Sequence, residues 1–525
     1  MDLRTGRILP SFRKAIYDEM VDNIASNTSH YYAFAAVTDK LSTGAENTAN
    51  NDYVNEFTPT WKIIFGKKLI ANNVIPVVRK ITWAKNNIYD RYDNTDVNLH
   101  ANANFYVFSP PAITGGRYNV YKCIDNANGA LSTVKPTIIQ QDTFQTPDGY
   151  KWRYITSISY KDFQNYSTTN YSPIFANSNI VAAAAENSGV EVIMVSKGGV
   201  YTSYHDGIIK SAPNTTLLQI ADNASTSNNL YTNSSIYVYN EGTATANVYE
   251  ISSYNSNSSG KWVGLVPTYH SNGLVTGANL TNIIPGTTQY KISPRVVFDT
   301  DGSSDPVAYS VVIAVTNSVH RVVVLDKGTN ISWANVSLQC NVSSGNGAVM
   351  YAIVPPRGGH GSNPAAELDM QGVSINFSFS NTENSTIPTN DIQYDTIGII
   401  KNPYKANTET GAKLATRFWS NTMNQMVTGN VNITFTVGEK VKGANGAIGE
   451  VVFANSSQVY LIGDNYFIDE ENIVAANGTS TQFNINTHPQ AYVKDVVPLY
   501  VQYINTIERP ISNSQTESFN LLLQF

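Results

Sequence analysis

Asp299, Asp301 and Asp305 stand in the run DTDGSSD, which opens like a calcium loop with Asp-x-Asp-Gly. That spacing gathers carboxylate oxygens around a tight turn. The bidentate Glu expected at the twelfth position is missing and no helical pattern flanks the run, so it reads as a solvated turn. His360 lies among the glycines of PPRGGHG, residues 355–361. A histidine that binds metal or moves a proton needs a second ligand or an orienting carboxylate. The chain holds no His-x-x-x-His, His-Glu-x-x-His or Cys-x-x-Cys spacing. The loop is therefore expected to be a rigid turn whose glycines let backbone pack closely, with a subunit contact as the other reading. GANGAIG, residues 443–449, lies between strands and opens no helix, unlike a dinucleotide loop. No phosphate-binding Gly-x-x-x-x-Gly-Lys-Ser/Thr and no Gly-x-Ser-x-Gly elbow occurs. Nothing singles out two of the 40 acids as a glycosidase pair. Tyr31-Tyr32 and Tyr201/Tyr204 have the chemistry to stack sugars, and are read as core and interface packing. The expectation is a protein without a catalytic set, cofactor, metal or small-molecule substrate.

Composition narrows the partners. A net charge of −6 with no basic block argues against a nucleic-acid surface, which needs clustered Lys and Arg. No run approaches the ~18 apolar residues of a membrane-spanning helix. The start, MDLRTGRILPSFRKAIYDEM, lacks the apolar core of a signal peptide. Cys123 and Cys340 are then expected as two reduced, buried thiols of a protein made in a cytoplasm, and sequons such as Asn214-Thr-Thr, Asn335-Val-Ser and Asn477-Gly-Thr as unglycosylated.

The elements that hold these residues read as β. Charged residues make up only 14% of the chain, well below the typical share; Asn, Ser and Thr carry the polarity instead. Turn-formers recur between short Val/Ile/Tyr/Thr runs, the pattern of a mainly β chain of antiparallel strands. Phe12, Ile16, Met20 and Ile24 recur at i+4 behind Pro10-Ser11, predicting a short N-terminal helix capped by Ser11. Residues 31–37 read as a buried aromatic strand. Residues 120–124, VYKCI, alternate as a half-buried strand, and Thr146-Pro147-Asp148-Gly149 forms a turn. Tyr150, Trp152 and Tyr154 follow at alternate positions of the next strand. Residues 192–204 and 322–334 align as a strand, a Lys-Gly turn and a second strand, read either as one duplicated β-unit or as a coincidence of hairpin grammar. Residues 430–489 alternate strictly with Gly at the corners, predicting a small five-stranded barrel-like insertion.

Several of these segments together resemble the baseplate wedge family of contractile-tailed, T-even-type bacteriophages, the gene-product-eight family, in its enlarged marine-type variant. The resemblance rests on Arg79 and Trp83 in IPVVRKITW, Tyr121 and Cys123 in VYKCID, and Asp148, Gly149, Tyr150 and Trp152 in DGYKWRY. It continues through Pro355, Gly359 and His360 in PPRGGHGSNP, the pair Glu367-Leu368, and IGIIKNP at 397–403. It ends with Arg509, Pro510, Gln515 and Glu517 near the C-terminus. The matched segments span about half the chain and leave out 205–310 and 430–490.

The resemblance implies a structural, non-enzymatic subunit of the virion tail baseplate, assembled in the host cytoplasm. It would be a homodimer of layered antiparallel β-sandwich subunits, dock other wedge proteins and take part in baseplate rearrangement on host attachment. It implies no nucleic-acid or membrane partner. The motif residues would then serve fold or interface. The expected organisation is a discontinuous wedge-like β-sandwich core (1–188, 365–429 and 490–525), an inserted β region (189–364) and the barrel-like insertion (430–489). Two other readings stand beside it: a receptor- or glycan-binding tail-fibre or adhesin protein, and an exported polysaccharide-degrading β-enzyme.

Overall fold

The structure, a computed structural model, describes residues 8–26, 29–36, 63–184, 188–241, 246–266, 283–341, 345–380, 393–405, most of 435–475, 498–508 and 516–525, with short segments at 268–269, 275–276, 280, 418–419, 423–427, 478, 480–482, 484–487 and 491–492. The protein is mainly β, 49% strand against 11% helix, in several antiparallel sheets with one N-terminal helix. The mainly β class expected from the turn spacing is therefore the observed one.

The chain divides into two compact units, one of residues 1–10, 78–164 and 168–370, the other of 11–77, 165–167 and 371–525. This division cuts across the expected grouping, because 78–164 shares a unit with 189–364.

The second unit contains the sandwich. Strand Tyr31–Ala36 lies between Ile63–Lys68 and Gln393–Lys401, and Phe418–Trp419 and Pro498–Glu508 complete the sheet. All six residues of Tyr31–Ala36 are buried, as a central strand without polar alternation requires. A second sheet has Gly372–Ser380 at its centre, paired with Val74–Arg79 and with Thr516–Gln524. Rings lock the two layers face to face: Phe65 meets Phe379 edge-on at 4.3 Å, and Tyr394 lies 6.3 Å from Phe519.

The N-terminal helix runs Pro10–Ala25, so Ser11 sits inside its first turn and does not cap it. Its buried side is also rotated from the predicted stripe. Arg13 and Ile24 are buried while Phe12 is 56% exposed, and the Tyr17 hydroxyl donates to the Val74 carbonyl at 3.4 Å. The polar reach of Tyr17 toward a strand backbone turns the helix away from a purely apolar footing.

The 430–489 insertion supplies six strands of a seven-stranded sheet, the seventh being Met423–Val427 just before it, against the five strands expected. Its order runs Ser480–Gln482, Asn472–Ala475, Lys440–Gly443, Ile448–Ala454, Gln458–Gly463, Met423–Val427, Asn484–Thr487. The two edge strands are one residue apart in sequence, so the sheet curls on itself. Lys440–Gly443 and Asn472–Ala475 alternate exposed and buried residues around Val441, Val451, Leu461, Phe467 and Ile473.

In the first unit the two Lys-Gly segments differ. Val192–Tyr201 is one continuous strand through Lys197-Gly198-Gly199, and its partner Gly345–Ile353 shifts register between Val349 and Met350. Strand Ser318–Asp326 instead ends before Lys327-Gly328, where Gly328 has φ +73°. The first Lys-Gly is absorbed as a strand irregularity, the second turns the chain, so only the second is a strand-turn-strand unit.

Candidate functional site

Four strands of the first unit, in the order Tyr106–Ser109, Tyr118–Asp125, Lys151–Ile158, Phe144–Gln145, carry most of the motif residues. Cys123 pairs with Trp152, Lys122 with Arg153 and Tyr121 with Tyr154. Side chains alternate across a sheet, so this register sorts them. One face receives Tyr121, Cys123, Trp152 and Tyr154, which join Tyr89, Tyr150 and Ile180 in a single core with Trp83 packed against it. Tyr150 stacks on Trp152 at 5.4 Å and 14°. The alternate aromatics read from the sequence form this face.

The other face departs from expectation. VYKCI was read as half-buried, yet Val120 through Ile124 are all buried, and Arg153 is 1% exposed. The PPRGGHG loop and the helix Pro364–Glu367 bring their own charged groups against Lys122. Lys122 Nζ donates to Glu367 Oε1 at 2.7 Å and lies 3.1 Å from His360 Nδ1. His360 Nδ1 is 2.9 Å from the same carboxylate oxygen. The Gly361 amide donates to Glu367 Oε2 at 2.7 Å, and the ammonium sits 3.3 Å from the centroid of Tyr92. The Lys122 and Glu367 side chains are 0% and 2% exposed. Beside them Arg153 Nη1 approaches Glu191 Oε1 at 3.6 Å, and Thr143 donates to Glu191 Oε2 at 2.8 Å.

Burial and charge act against each other in this layer. Burial pushes the Lys122 ammonium down to about 8, against the pull of Glu367. Burial and the Lys122 charge push His360 down to about 4. Burial alone would raise Glu367, but Lys122 and His360 outweigh it and hold the carboxyl below its ordinary range. At neutral pH the cluster is an ion pair bridged by a neutral imidazole. His360 Nε2 has no hydrogen-bond partner among the described residues.

This has a pH consequence. Between about pH 6.5 and 4 the unfolded chain protonates the histidine while the folded chain does not. Stability then falls as pH drops through that window. Below it, loss of the Glu367 charge removes more, because its folded pKa lies below the unfolded one. In thermal melts from pH 6.5 down to 4 the parent should lose about 3 kcal/mol more than His360→Gln, the difference being complete near pH 4.

The remaining motif residues are structural neighbours of this sheet or lie elsewhere. Arg79 donates to the Ala103 carbonyl at 2.6 Å and accepts from Tyr106 through its own carbonyl at 2.8 Å. Trp83 Nε1 donates to Ser132 at 3.1 Å. Asp148 fastens the 132–134 loop by accepting from the Thr133 and Val134 amides at 2.7 and 2.9 Å. Gly149, at φ +88°, closes the predicted turn by donating to the Thr146 carbonyl. Pro355 is buried at the loop entrance, and the Gly359 amide donates to the Pro356 carbonyl at 2.8 Å. A Cβ on Gly359 would lie 1.9 Å from the Ala184 carbonyl oxygen, so the expected close backbone approach is present. Glu517 lies in the strand Thr516–Gln524, opposite Phe379. Arg509, Pro510 and Gln515 lie outside the described residues.

Asp301 accepts from the Ser332 and Trp333 amides at 2.9 and 3.2 Å, and the Ser332 hydroxyl and those amides lower its pKa. The DTDGSSD run thus clasps a neighbouring loop. Among the described residues no group of three or more His, Cys, Asp or Glu side chains is placed to hold a metal. Both cysteines are free; Cys123 is buried as expected, while Cys340 is only partly so, at an open cleft of about 500 Å³ between Ala334–Gln339 and Gly345–Ile353. No described helix is long and apolar enough to cross a membrane.

Sequence reasoning missed Lys122, Arg153, Glu191 and the role of Glu367. The only signal was a cation at a strand position whose neighbours are all apolar. No family model matches the chain, and no curated protein matches it.

Proposed function

We propose that this protein is a structural subunit of a phage tail baseplate wedge. It acts as a homodimer that docks other wedge proteins and takes part in baseplate rearrangement on host attachment. One observation carries the reading beyond the motif resemblance. The motif segments at 121–125 and 148–154 supply paired strands of one sheet in the first unit, and the distant segments 79–83 and 355–368 pack against it through Trp83 on one face and through His360 and Glu367 on the other. Their polar groups are spent on one another: Lys122 on Glu367, Asp148 on backbone amides, Arg79 on a carbonyl. A lysine, histidine and glutamate excluded from solvent hold a loop in place and have no exposed side from which to meet a substrate. Low overall charge suits a protein that must meet several neighbours, since interface cores are depleted of charge. Rearrangement would come from different contacts in two baseplate states.

Co-expression with the adjacent tail proteins tests this. Light scattering should give a dimer alone and a larger defined complex with wedge partners. A stable trimer that joins no wedge complex would sink the proposal.

A further inference from the structure

The inserted β region carries a second feature, independent of the wedge reading. In the sheet formed by His205–Ile208, Gln289–Thr300, Ser234–Tyr239 and Ala246–Asn257, one face is sealed by Ile236, Val238, Tyr290 and Ile292. The opposite face buries Ser235 and Ser293 but is part-exposed at its other end, around Tyr239, Lys291 and Asp206. Register places Tyr237 beside Lys291 and Lys291 beside Asp206, with Tyr239 beside Gln289 in the next row. Tyr309, from the strand Val307–Ile313, lays its ring on Tyr237 at 4.0 Å and 9°, and Tyr237 stacks on Tyr239 at 5.0 Å and 20°. Three part-exposed rings thus form a ladder that ends at Tyr239. Among the described residues Tyr239 stacks on no ring other than Tyr237.

The surroundings of that last ring are polar in a particular way. Its hydroxyl donates to Gln289 Oε1 at 2.7 Å, and Gln289 Nε2 donates to Glu241 Oε2 at 3.2 Å. Lys291 Nζ lies 5.5 Å from the ring centroid, and Asp206 and Glu241 are both close enough to act on its hydroxyl.

We propose that the Tyr239 end of this ladder binds a sugar ring. The C–H groups on one face of a pyranose are weakly positive and suit the negative face of an aromatic ring. Its vicinal hydroxyls each donate and accept, and the planar amide and carboxylate of Gln289 and Glu241 offer both roles side by side. Lys291 and Asp206 extend the hydrogen-bonding rim. A protein partner fits less well, because charged groups crowd the patch and interface cores exclude them. A nucleic acid fits less well again, with two carboxylates to one ammonium around the ring.

The test uses the full chain and three probes, maltotriose, chitotriose and mannotriose, by saturation-transfer NMR and calorimetric titration. At least one should bind with Kd on the order of 1 mM or tighter. Tyr239→Ala should weaken it at least tenfold, and Tyr239→Phe, which keeps the ring and loses the relay, by a smaller factor. Both variants should melt with the parent. The proposal falls if no probe binds at ~10 mM, or if Tyr239→Ala binds as the parent does. It also falls if Tyr239→Ala abolishes self-association or wedge assembly while no sugar binds, for the ladder is then a protein contact. Sugar binding by a dimer that joins a wedge leaves both proposals standing, and by a chain that joins none overturns only the wedge reading.

Discussion

Glu367→Ala should destabilise the protein by about 3–5 kcal/mol, the cost of leaving a buried charge without its partner. The variant strands the Lys122 ammonium, 0% exposed, with only a neutral imidazole and the Tyr92 ring. It also orphans the Gly361 amide, which has donated to the same carboxylate. Lys122 then loses its proton more easily than at the parent's value of about 8, and the variant should regain part of its stability as pH rises from below 8 toward the value of an unfolded lysine. The sign follows from linkage: wherever the folded chain has released a proton that the unfolded chain still holds, stability rises with pH. Replacing both partners, Lys122→Met with Glu367→Met, should recover most of the loss and settle within about 2 kcal/mol of the parent, because no charge remains to solvate. A denaturant double-mutant cycle measures the coupling directly. If Glu367→Ala melts with the parent, the cluster has no structural weight.

Gly359→Ala should be as damaging, through backbone alone. Gly359 has φ +86°, and an added Cβ would fall 1.9 Å from the Ala184 carbonyl oxygen and 2.4 Å from its carbon. Rigid backbone cannot yield by a rotamer change, so the loop has to lift and carry His360 away from Lys122. A loss above about 3 kcal/mol is expected. Gly358→Ala is the control. Its φ is +84°, nearly the same, but the nearest atom is the Ser362 hydroxyl at 3.1 Å. It should pay only for a left-handed alanine, about 1–2 kcal/mol. Equal effects in the two variants would show that conformational strain, and not packing against Ala184, fixes the loop.

Local signals made much of the fold legible. Tyr31–Ala36 is buried because six consecutive residues without a charge can sit at the centre of a sheet. Strict alternation and corner glycines located the C-terminal insertion, though its strand number depended on pairings that no local pattern carries. The Thr146–Gly149 turn follows from Pro, Asp and Gly at their own positions. The helix face was misread because Tyr17 and Arg13 pack through mixed polar and apolar atoms, which a count of apolar residues cannot weigh.

The charged layer was hidden for a different reason. Lys122 and Glu367 are 245 residues apart, and within VYKCI the lysine reads as the solvent side of an alternating strand. Only the arrival of PPRGGHG on that side makes it interior. His360 looked alone because its carboxylate partner, seven residues on, follows no spacing known for metal or proton chemistry. The motif was read as a turn, and the turn is there; what it delivers could not be seen until the sheet beneath it was known.

Because the central motif sheet is oily on one side and buries an ionic cluster among apolar side chains on the other, a misalignment of its strands is costly. A slip by one residue between Tyr118–Asp125 and Lys151–Ile158 would send Trp152 toward Glu191 and Glu367 and drive Arg153 among Tyr89, Tyr150 and Ile180. Each error is penalised separately, one by exposing carboxylates to an indole, the other by burying a guanidinium in hydrocarbon. A sheet with two apolar sides forgives such a shift, and one with a wet side forgives half of it. The two penalties together leave a single alignment for a long chain whose distant segments must find one another.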